Sequence, residues 1–308
     1  MTTDNPQVPW TDEQWARVNQ VVQEEASRAR AAATFLPLIG PLPGDADFVR
    51  SERILYPARP GVPPPPMRQI GVDDRSVIQL ATLQVRVPVR AAQMADSEMA
   101  SVLALFRRAA NVLARLEDAV VFRGLTQDFR YLPQTRFRPV AGLAGPGVGL
   151  WQEVWEITGG EPQRGLLDPA NVTILMIGWP PPQRGVGLVA AVSQAITILE
   201  GNGRFGPFAL VLGSDQFAAA QNPTGSLVLP QDRIIPFLGG GSLLRSSTLP
   251  ANAGVLVALG GSPVELVIAT DVSVQFLQLT VEPVFVFRVC EKMALRIQEP
   301  RAIVTILS

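Results

Sequence analysis

The stretch Ser97–Gly124, "SEMASVLALFRRAANVLARLEDAVVFRG", decides the fold. Apolar residues recur three or four positions apart along it, which predicts one amphipathic helix from Ser97 to about Phe122. Asp96 or Ser97 can cap its start, Gly124 can end it, and Glu117 and Asp118 are interpreted as a solvated or capping pair. At 1.5 Å per residue the helix would be roughly 39 Å long, which is unusual inside a globular domain.

Two strand-like segments precede this helix and predict an extended arm. Val49–Tyr56 leads into "PARPGVPPPPMRQIGVDD", in which four consecutive prolines exclude a helix or a central strand. In the second segment apolar residues alternate with polar residues and one proline from Leu83 to Arg90. We expect these two strands to pair with each other and to carry the proline-rich segment as an irregular tip.

The N-terminal region predicts a second amphipathic helix. Thr11 and Gln14 form a capping box, and the helix would run to about Ala33. Its apolar face comprises Trp15, Val18, Val22, Ala26 and Ala29. Two interpretations remain open: a helix that only packs on a core, and a helix that also lines a groove for a partner.

The rest of the chain predicts a mixture of helices and strands. The segments are a helix over Val186–Glu200, a strand over Phe208–Leu212, a short helix over Ser214–Gln221, a β-hairpin of Gly254–Leu259 with Val264–Ala269, and closing strands over Val272–Thr280, Val284–Ala294 with Ile297, and Ala302–Leu307. The expected class is α+β.

Composition excludes several kinds of active site. The chain has no histidine and one cysteine, Cys290, so it cannot build Ser-His-Asp or Cys-His catalysis or the usual zinc sites. The Gly-x-Gly-x-x-Gly pattern over 201–206 follows a predicted helix instead of preceding one, so it does not make a dinucleotide loop, and Gly201 is expected to end that helix in the left-handed conformation. A net charge of −1 gives no general attraction to nucleic acid.

Local likenesses to one protein family occur in the same order along most of the chain. They are "TDEQWARVNQVV" at the N-terminus, Gly40-Pro41-Leu42, "LARLEDAVVFRG" at the end of the long helix, "GRFGPFALVLGSDQF" from Gly203, "TDVSVQFL" from Thr270, and "FVFRVCEKMALRIQEPRAIVTIL" from Phe285. Together they make the chain resemble the encapsulin nanocompartment shell proteins, whose subunits have the Hong-Kong-97-type phage capsid fold.

The resemblance implies an α+β subunit with a P-domain built on the long spine helix, an A-domain and an extended E-loop arm. The implied division is an N-terminal lumen-facing helix and connector (1–48), the E-loop arm (49–91), the spine helix (92–124), the A-domain (125–262) and the C-terminal P-domain strands (263–308).

The resemblance also implies two functional regions. A groove for the targeting peptide of a cargo enzyme would comprise Trp15, Val18, Val22, Asp271, Val272, Ser273 and Val274, and a fivefold pore would be lined by Pro223, Thr224, Gly225, Ser226 and Leu227. Ala33 stands where the family usually has an arginine that contacts cargo. The tryptophan with which some members stack a flavin is missing from "VPVRAAQMADS", so we expect no flavin and no other cofactor, and we expect no metal site and no catalytic residue.

The implied function is a self-assembling icosahedral shell of multiples of sixty subunits that encloses a ferritin-like or peroxidase-type enzyme. The start of the chain has no basic segment followed by an apolar run, so we expect a cytoplasmic protein without membrane or nucleic-acid partners. One alternative is a prophage major capsid protein of the same fold that packages DNA. A second is a soluble α/β enzyme, against which the missing histidines and the position of the glycine pattern argue.

Overall fold

The computed structural model of the protein describes residues 8–55, 70–125, 155–160, 162–167, 172–175, 183–223, 228–281 and 283–308. The helices among them are α1 (Asp12–Ala29), α2 (Ala91–Met94), α3 (Ala100–Arg123), α4 (Arg184–Gly201), α5 (Ser214–Gln221) and α6 (Pro230–Ile234). The strands are β1 (Leu38–Ile39), β2 (Phe48–Arg50), β3 (Arg53–Leu55), β4 (Gly71–Asp73), β5 (Val77–Gln79), β6 (Ala81–Arg90), β7 (Trp155–Gly159), β8 (Val172–Leu175), β9 (Phe208–Leu212), β10 (Leu243–Arg245), β11 (Ala253–Ala258), β12 (Val264–Leu279), β13 (Val284–Ile297) and β14 (Ile303–Leu307).

The first sheet lies under the two longest elements of the N-terminal half. Its strand order is β1-β12-β13-β6-β7, antiparallel except for the short parallel pair of β1 with β12. The apolar residues that alternate along β6 are buried: Leu83, Val85, Val87 and Val89. They belong to the same apolar core as the inward faces of α3 and α1. Both helices therefore pack on the same face of this sheet.

The arm differs from its prediction in the identity of one strand. The segment after Phe48 pairs with 71–79 in two short antiparallel ladders, β2 with β5 and β3 with β4. The predicted partner, the alternating segment that ends at Arg90, is β6 and pairs with β13 and β7. The prediction was wrong because alternation shows that one face of a strand is buried but does not identify the strand beside it. The proline-rich tip lies outside the described residues.

The second sheet has the order β10-β9-β11-β14-β8 and carries α4 on its apolar face. The predicted β-hairpin of Gly254–Leu259 with Val264–Ala269 is wrong, because β11 pairs with β9 and β14 whereas β12 belongs to the first sheet. The turn between them carries the chain from one sheet to the other. β7 falls within the implied A-domain (125–262) but joins the first sheet. β14 falls within the implied C-terminal P-domain segment (263–308) but joins the second sheet.

Helix α1 ends at Ala29 and not at about Ala33, and two further helix ends differ from their predictions. The spine helix α3 begins after Met99, which is left-handed at φ 55°, because the Asp96 carboxylate accepts the Glu98 N–H at 3.0 Å and holds a local turn ahead of the helix. At the end of α4 the left-handed residue is Gly203, not Gly201. Its N–H donates to the Glu200 carbonyl and the next N–H, of Arg204, to the Leu199 carbonyl, the pattern of a Schellman motif.

Gly124 ends the spine helix as predicted, and its replacement tests how much this helix end contributes to stability. Its φ is +78°, and a Cβ on it would lie 2.1 Å from the Gln163 carbonyl oxygen. Gly124→Ala is therefore expected to lower the free energy of unfolding by about 2 kcal/mol, measured by urea denaturation. Gly201→Ala is the matched control, because no atom lies within 4 Å of its Cβ position. Equal stability of the two variants would contradict the expectation.

Candidate functional site

Helix α1 is seated on the spine helix by a stripe of small apolar residues. Val18, Val22 and Ala26 recur every four residues and are at most 1% exposed. This spacing places them on one face, and they belong to the same core as α3. The capping box predicted at the start of α1 is present, with the Thr11 side chain accepting from Gln14 N and the Gln14 side chain from Thr11 N. The position of α1 is thus fixed by burial along its length.

An aromatic cluster fixes the N-terminal end of α1. Phe287 of β13 is fully buried, and its ring is stacked on Trp10 with centroids 4.8 Å apart. Trp15 meets the same ring edge-on at 5.9 Å, and Phe106 of α3 and Phe276 of β12 each do so at 5.5 Å. One side chain of the sheet therefore contacts the N-terminal segment, the spine helix and the neighbouring strand.

The side of α1 that faces β12 carries a row of partly exposed residues. Trp15, Asn19 and Gln23 recur at four-residue spacing along this side. The Gln23 side-chain amide donates to the Val272 carbonyl, which places this row beside β12. On β12, Val274 and Phe276 are half-buried and pack at the edge of the core. We call these five residues the α1–β12 cleft.

The predicted cargo-binding residues fall into two groups. Val18, Val22 and Val272 are at most 2% exposed and present no surface to a ligand while α1 is seated, so their prediction as groove-lining residues needs correction. Apolar spacing on a helix identifies the side that packs on the core, and here that is the face toward α3. Trp15, Ser273 and Val274 are half-buried and Asp271 is exposed. The row at Asn19 and Gln23 was missed, because polar residues carry no periodic signal.

A buried charge cluster, which we define as Arg30, Glu117, Asp118 and Glu291, joins the end of α1 to α3 and β13. Arg30 Nε lies 2.7 Å from Glu117 Oε2, and Arg30 Nη2 lies 2.9 Å from Glu291 Oε1. Arg30 Nη2 is also 3.3 Å from Oδ1 of the exposed Asp271. The carboxyl groups of Glu117 and Glu291 have no solvent exposure.

Asp118 holds the segment that follows α1. Its carboxylate accepts the Ala31 N–H at 3.0 Å and the Ala32 N–H at 2.8 Å, so it caps the short 3-10 turn at 32–34. The prediction of a solvated pair at Glu117 and Asp118 is wrong, because both are at most 2% exposed. The capping alternative holds for Asp118, which caps another element of the chain. Arg30 was not singled out from the sequence, although its place at the helix end was a usable signal.

Burial shifts the protonation equilibria of all three carboxyl groups. It raises the pKa of Glu117 well above its ordinary value of 4.5, and the neighbouring Glu291 charge adds to this against the opposing effect of Arg30. Burial likewise raises the pKa of Glu291 to about 7, opposed by Arg30. It raises the pKa of Asp118 to about 7, opposed by the N–H groups of Ala32 and Ala31. The cluster therefore binds protons at pH values where exposed carboxylates do not.

The predicted pore residues are mostly outside the described part of the chain. Pro223 is exposed and lies two residues after the end of α5. Thr224, Gly225, Ser226 and Leu227 are among the residues that the structure does not describe, so their lining of a pore stays a prediction. In the described ranges no helix is both long and apolar enough to cross a bilayer. The same ranges contain no group of three or more His, Cys, Asp or Glu side chains placed to hold a metal ion.

Comparison with known proteins matches most of the chain. The model of a family described as "Encapsulating protein for peroxidase" matches residues 2–129 and 164–294. The type 1 encapsulin shell protein EncA of Myxococcus xanthus is 23% identical over 97% of this chain and 93% of its own length.

Among solved structures, the virus-like particle from Pyrococcus furiosus superposes with a TM-score of 0.67 at 15% identity, covering 96% of this chain and 99% of that one. The capsid of the Myoviridae phage XM1 does so with a TM-score of 0.57 at 13% identity over 88% and 89%. These likenesses confirm the predicted α+β fold of the Hong-Kong-97 type.

Proposed function

Because the chain belongs to the family of encapsulating shell proteins, we propose that its shell holds a cargo enzyme through a short peptide segment bound in the α1–β12 cleft. The subunit is a structural protein that assembles with copies of itself into a capsid-like icosahedral shell enclosing cargo. The shell would lie in the cytoplasm. Of the two cargo classes considered, the peroxidase is favoured by the description of the family.

The observation that carries this proposal is an open strand edge beside the cleft. β1 pairs with β12 only at Leu266 and Val267. Beyond Val267, no described strand pairs with β12 on the side away from β13, and the chain itself contacts this edge through the Leu42 N–H at the Ile268 carbonyl and Gln23 at the Val272 carbonyl. An extended peptide can add to such an edge by main-chain hydrogen bonds, with side-chain pockets giving specificity.

The side chains along the cleft match an extended peptide with apolar anchors. Trp15, Val274 and Phe276 offer apolar surface that is only half-covered by the chain itself. Asn19 and Gln23 place amide groups on the opposite wall, where they can pair with peptide backbone. Asp271 at the end of the cleft is exposed and favours a basic residue in the peptide.

Filling the cleft tests the peptide site. Asn19→Arg is expected to lower cargo loading at least about tenfold, because the longer side chain occupies the space beside Trp15, and a loss of about 1.4 kcal/mol in affinity is enough for this change. Loading is measured as fluorescence per shell after co-expression with green fluorescent protein fused to the C-terminal segment of the enzyme that co-purifies from the native host.

Gln20→Arg is the matched control for this variant. Gln20 is exposed and lies one residue, or about 100°, around the helix from Asn19, so it carries the same change away from the cleft. Both variants should assemble into shells of native size on gel filtration. Equal loading of the two variants would argue against the cleft as the cargo site.

The DNA-packaging alternative is distinguished by the contents of the particles. The family match favours a protein-filled shell over a DNA-filled capsid, and the likeness to the phage capsid supports only the shared fold. Purified native particles are expected to contain protein cargo and no protected DNA after nuclease treatment.

A further inference from the structure

The buried charge cluster has more acid groups than its cations balance when all are ionised. Arg30 is shared by Glu117 and Glu291, and the charge of Arg115 on α3 acts on Asp118. Two guanidinium groups thus stand against three buried carboxyl groups. Isolated buried charge is strongly disfavoured, so one proton retained by the carboxyl groups balances the cluster.

The shared contact with Arg30 assigns that proton to the pair of Glu117 and Glu291. The two carboxyl groups contact the same guanidinium from α3 and from β13. Glu117 Oε1 and Glu291 Oε2 accept no hydrogen bond from any other described group. With the proton on Glu117, Glu291 remains the charged partner of Arg30. The arrangement resembles other pairs of like acids that titrate as one unit.

We propose that the proton shared by Glu117 and Glu291 locks the C-terminal end of α1 onto the spine helix and β13, and that its loss to solvent at alkaline pH loosens this end. Among the residues that the structure describes, the charged and titratable groups near the pair belong to four elements. The facing groups are Arg30 at the end of α1, Asp118 and Arg115 on α3, Asp271 on β12, and Cys290 beside Glu291 on β13.

The direction of the effect follows from proton linkage. The pKa of Glu117 in the folded chain is raised above its ordinary 4.5, and that of Glu291 is raised to about 7. The folded state therefore holds more protons than the unfolded state between these values, and stability falls as the pH rises through this window. The lock is complete near pH 4.5 and weakens through pH 7 and above.

The lock also reaches the α1–β12 cleft through Arg30. Arg30 contacts Asp271, the Asp271 carboxylate accepts the Val272 N–H at 2.7 Å, and the Val272 carbonyl accepts from Gln23 in the cleft. Loosening the end of α1 would therefore alter the position of Gln23 and of β12, which form the two sides of the α1–β12 cleft where a cargo peptide is proposed to bind. This consequence rests on the proposed function, whereas the lock itself does not.

Hydrogen exchange of assembled shells at pH 5.5 and pH 8.5 tests the lock without cargo. After correction for intrinsic exchange rates, protection of α1 in the wild-type shell should fall at least about tenfold at pH 8.5, the change that corresponds to one unit of pKa. Protection of α4, which packs on the second sheet, serves as the internal reference. In Glu117→Gln the α1 change should be less than about twofold, because the amide stays neutral at both pH values.

Three variants make the outcome decisive. Glu291→Gln removes the other member of the pair and should flatten the same pH dependence, whereas Glu24→Gln, an exposed carboxylate on α1, should retain it. Wild-type pH dependence in Glu117→Gln would overturn the proposal. Failure of both cluster variants to assemble would also overturn it, because glutamine closely mimics a protonated glutamate. The cargo-loading test of the Asn19→Arg shell uses a separate readout, so failure of one idea leaves the other standing.

Discussion

Replacing Arg30 with methionine is expected to lower the free energy of unfolding of the subunit by about 3–5 kcal/mol near pH 7, the usual result of removing one partner of a buried ion pair. The Arg30 side chain is 10% exposed and contacts Glu117 and Glu291, whose side chains have no exposure. Without the guanidinium these carboxyl groups must either take up protons or remain as uncompensated buried charge. Urea denaturation followed by circular dichroism measures the loss.

The pH dependence of the Arg30→Met variant separates lost charge from lost packing. Arg30 lowers the pKa of both Glu117 and Glu291, so its removal favours their protonated forms. The loss of stability should therefore be smaller at pH 5 than at pH 8, since protonated carboxyl groups no longer need the cation. A loss that is equal at both pH values would show that Arg30 acts only through its packing.

Arg28→Met is the matched control for this variant. The side chain of Arg28 is 75% exposed and pairs with Glu25 within the same helix. The Arg28 guanidinium is largely solvated and the buried Glu25 keeps its hydrogen bond from Asn111, so this change should lower the free energy of unfolding by less than about 1 kcal/mol. The two arginines are two residues apart, and only their burial and partners distinguish them.

Phe287→Ala is expected to have an effect of similar size, about 3–5 kcal/mol, through the loss of a large buried ring and the cavity left behind. The ring of Phe287 is fully buried and contacts four other aromatic residues, which makes extensive collapse of the space unfavourable. Trp10 and Trp15 contact the same ring, so the N-terminal end of α1 should lose protection from hydrogen exchange together with global stability.

Leu277→Ala on the neighbouring strand provides the comparison. Leu277 is 41% exposed, so less apolar surface is removed from a packed environment and the loss should be under about 1 kcal/mol. If Phe287→Ala reduced stability no more than Leu277→Ala, the aromatic cluster would not be the anchor of the N-terminal segment.

Local patterns in the sequence predicted the helices, strands and caps whose formation depends on residues close by in the chain. The strand at Phe208–Leu212 and the helix at Ser214–Gln221 have the predicted bounds, and the capping box at Thr11 is formed as expected. Each depends on neighbours within a few positions, such as a periodic run, a flanking glycine or a capping side chain. The same holds for the end of the spine helix at Gly124, where a residue with positive φ is required.

The partners of those elements were not determined by local patterns. The alternation in the segment that ends at Arg90 is equally consistent with an arm strand and with a central strand. The turn at 260–263 is typical of a hairpin, although it joins two sheets. The apolar side of α1 likewise indicated a face to be covered. It did not indicate whether another helix of the same chain or a cargo peptide covers it.

By itself, the sequence determined the long helices and most of the strands of the two sheets, the family resemblance and the absence of histidine chemistry, because each depends on residue types and their spacing. Only the tertiary structure decided that Arg30, Glu117 and Glu291 meet, and that Val18 and Val22 are core residues while Trp15 borders a cleft. The physical reason is that burial and charge balance are properties of groups brought together from distant positions. No local pattern records which carboxyl groups will share one arginine.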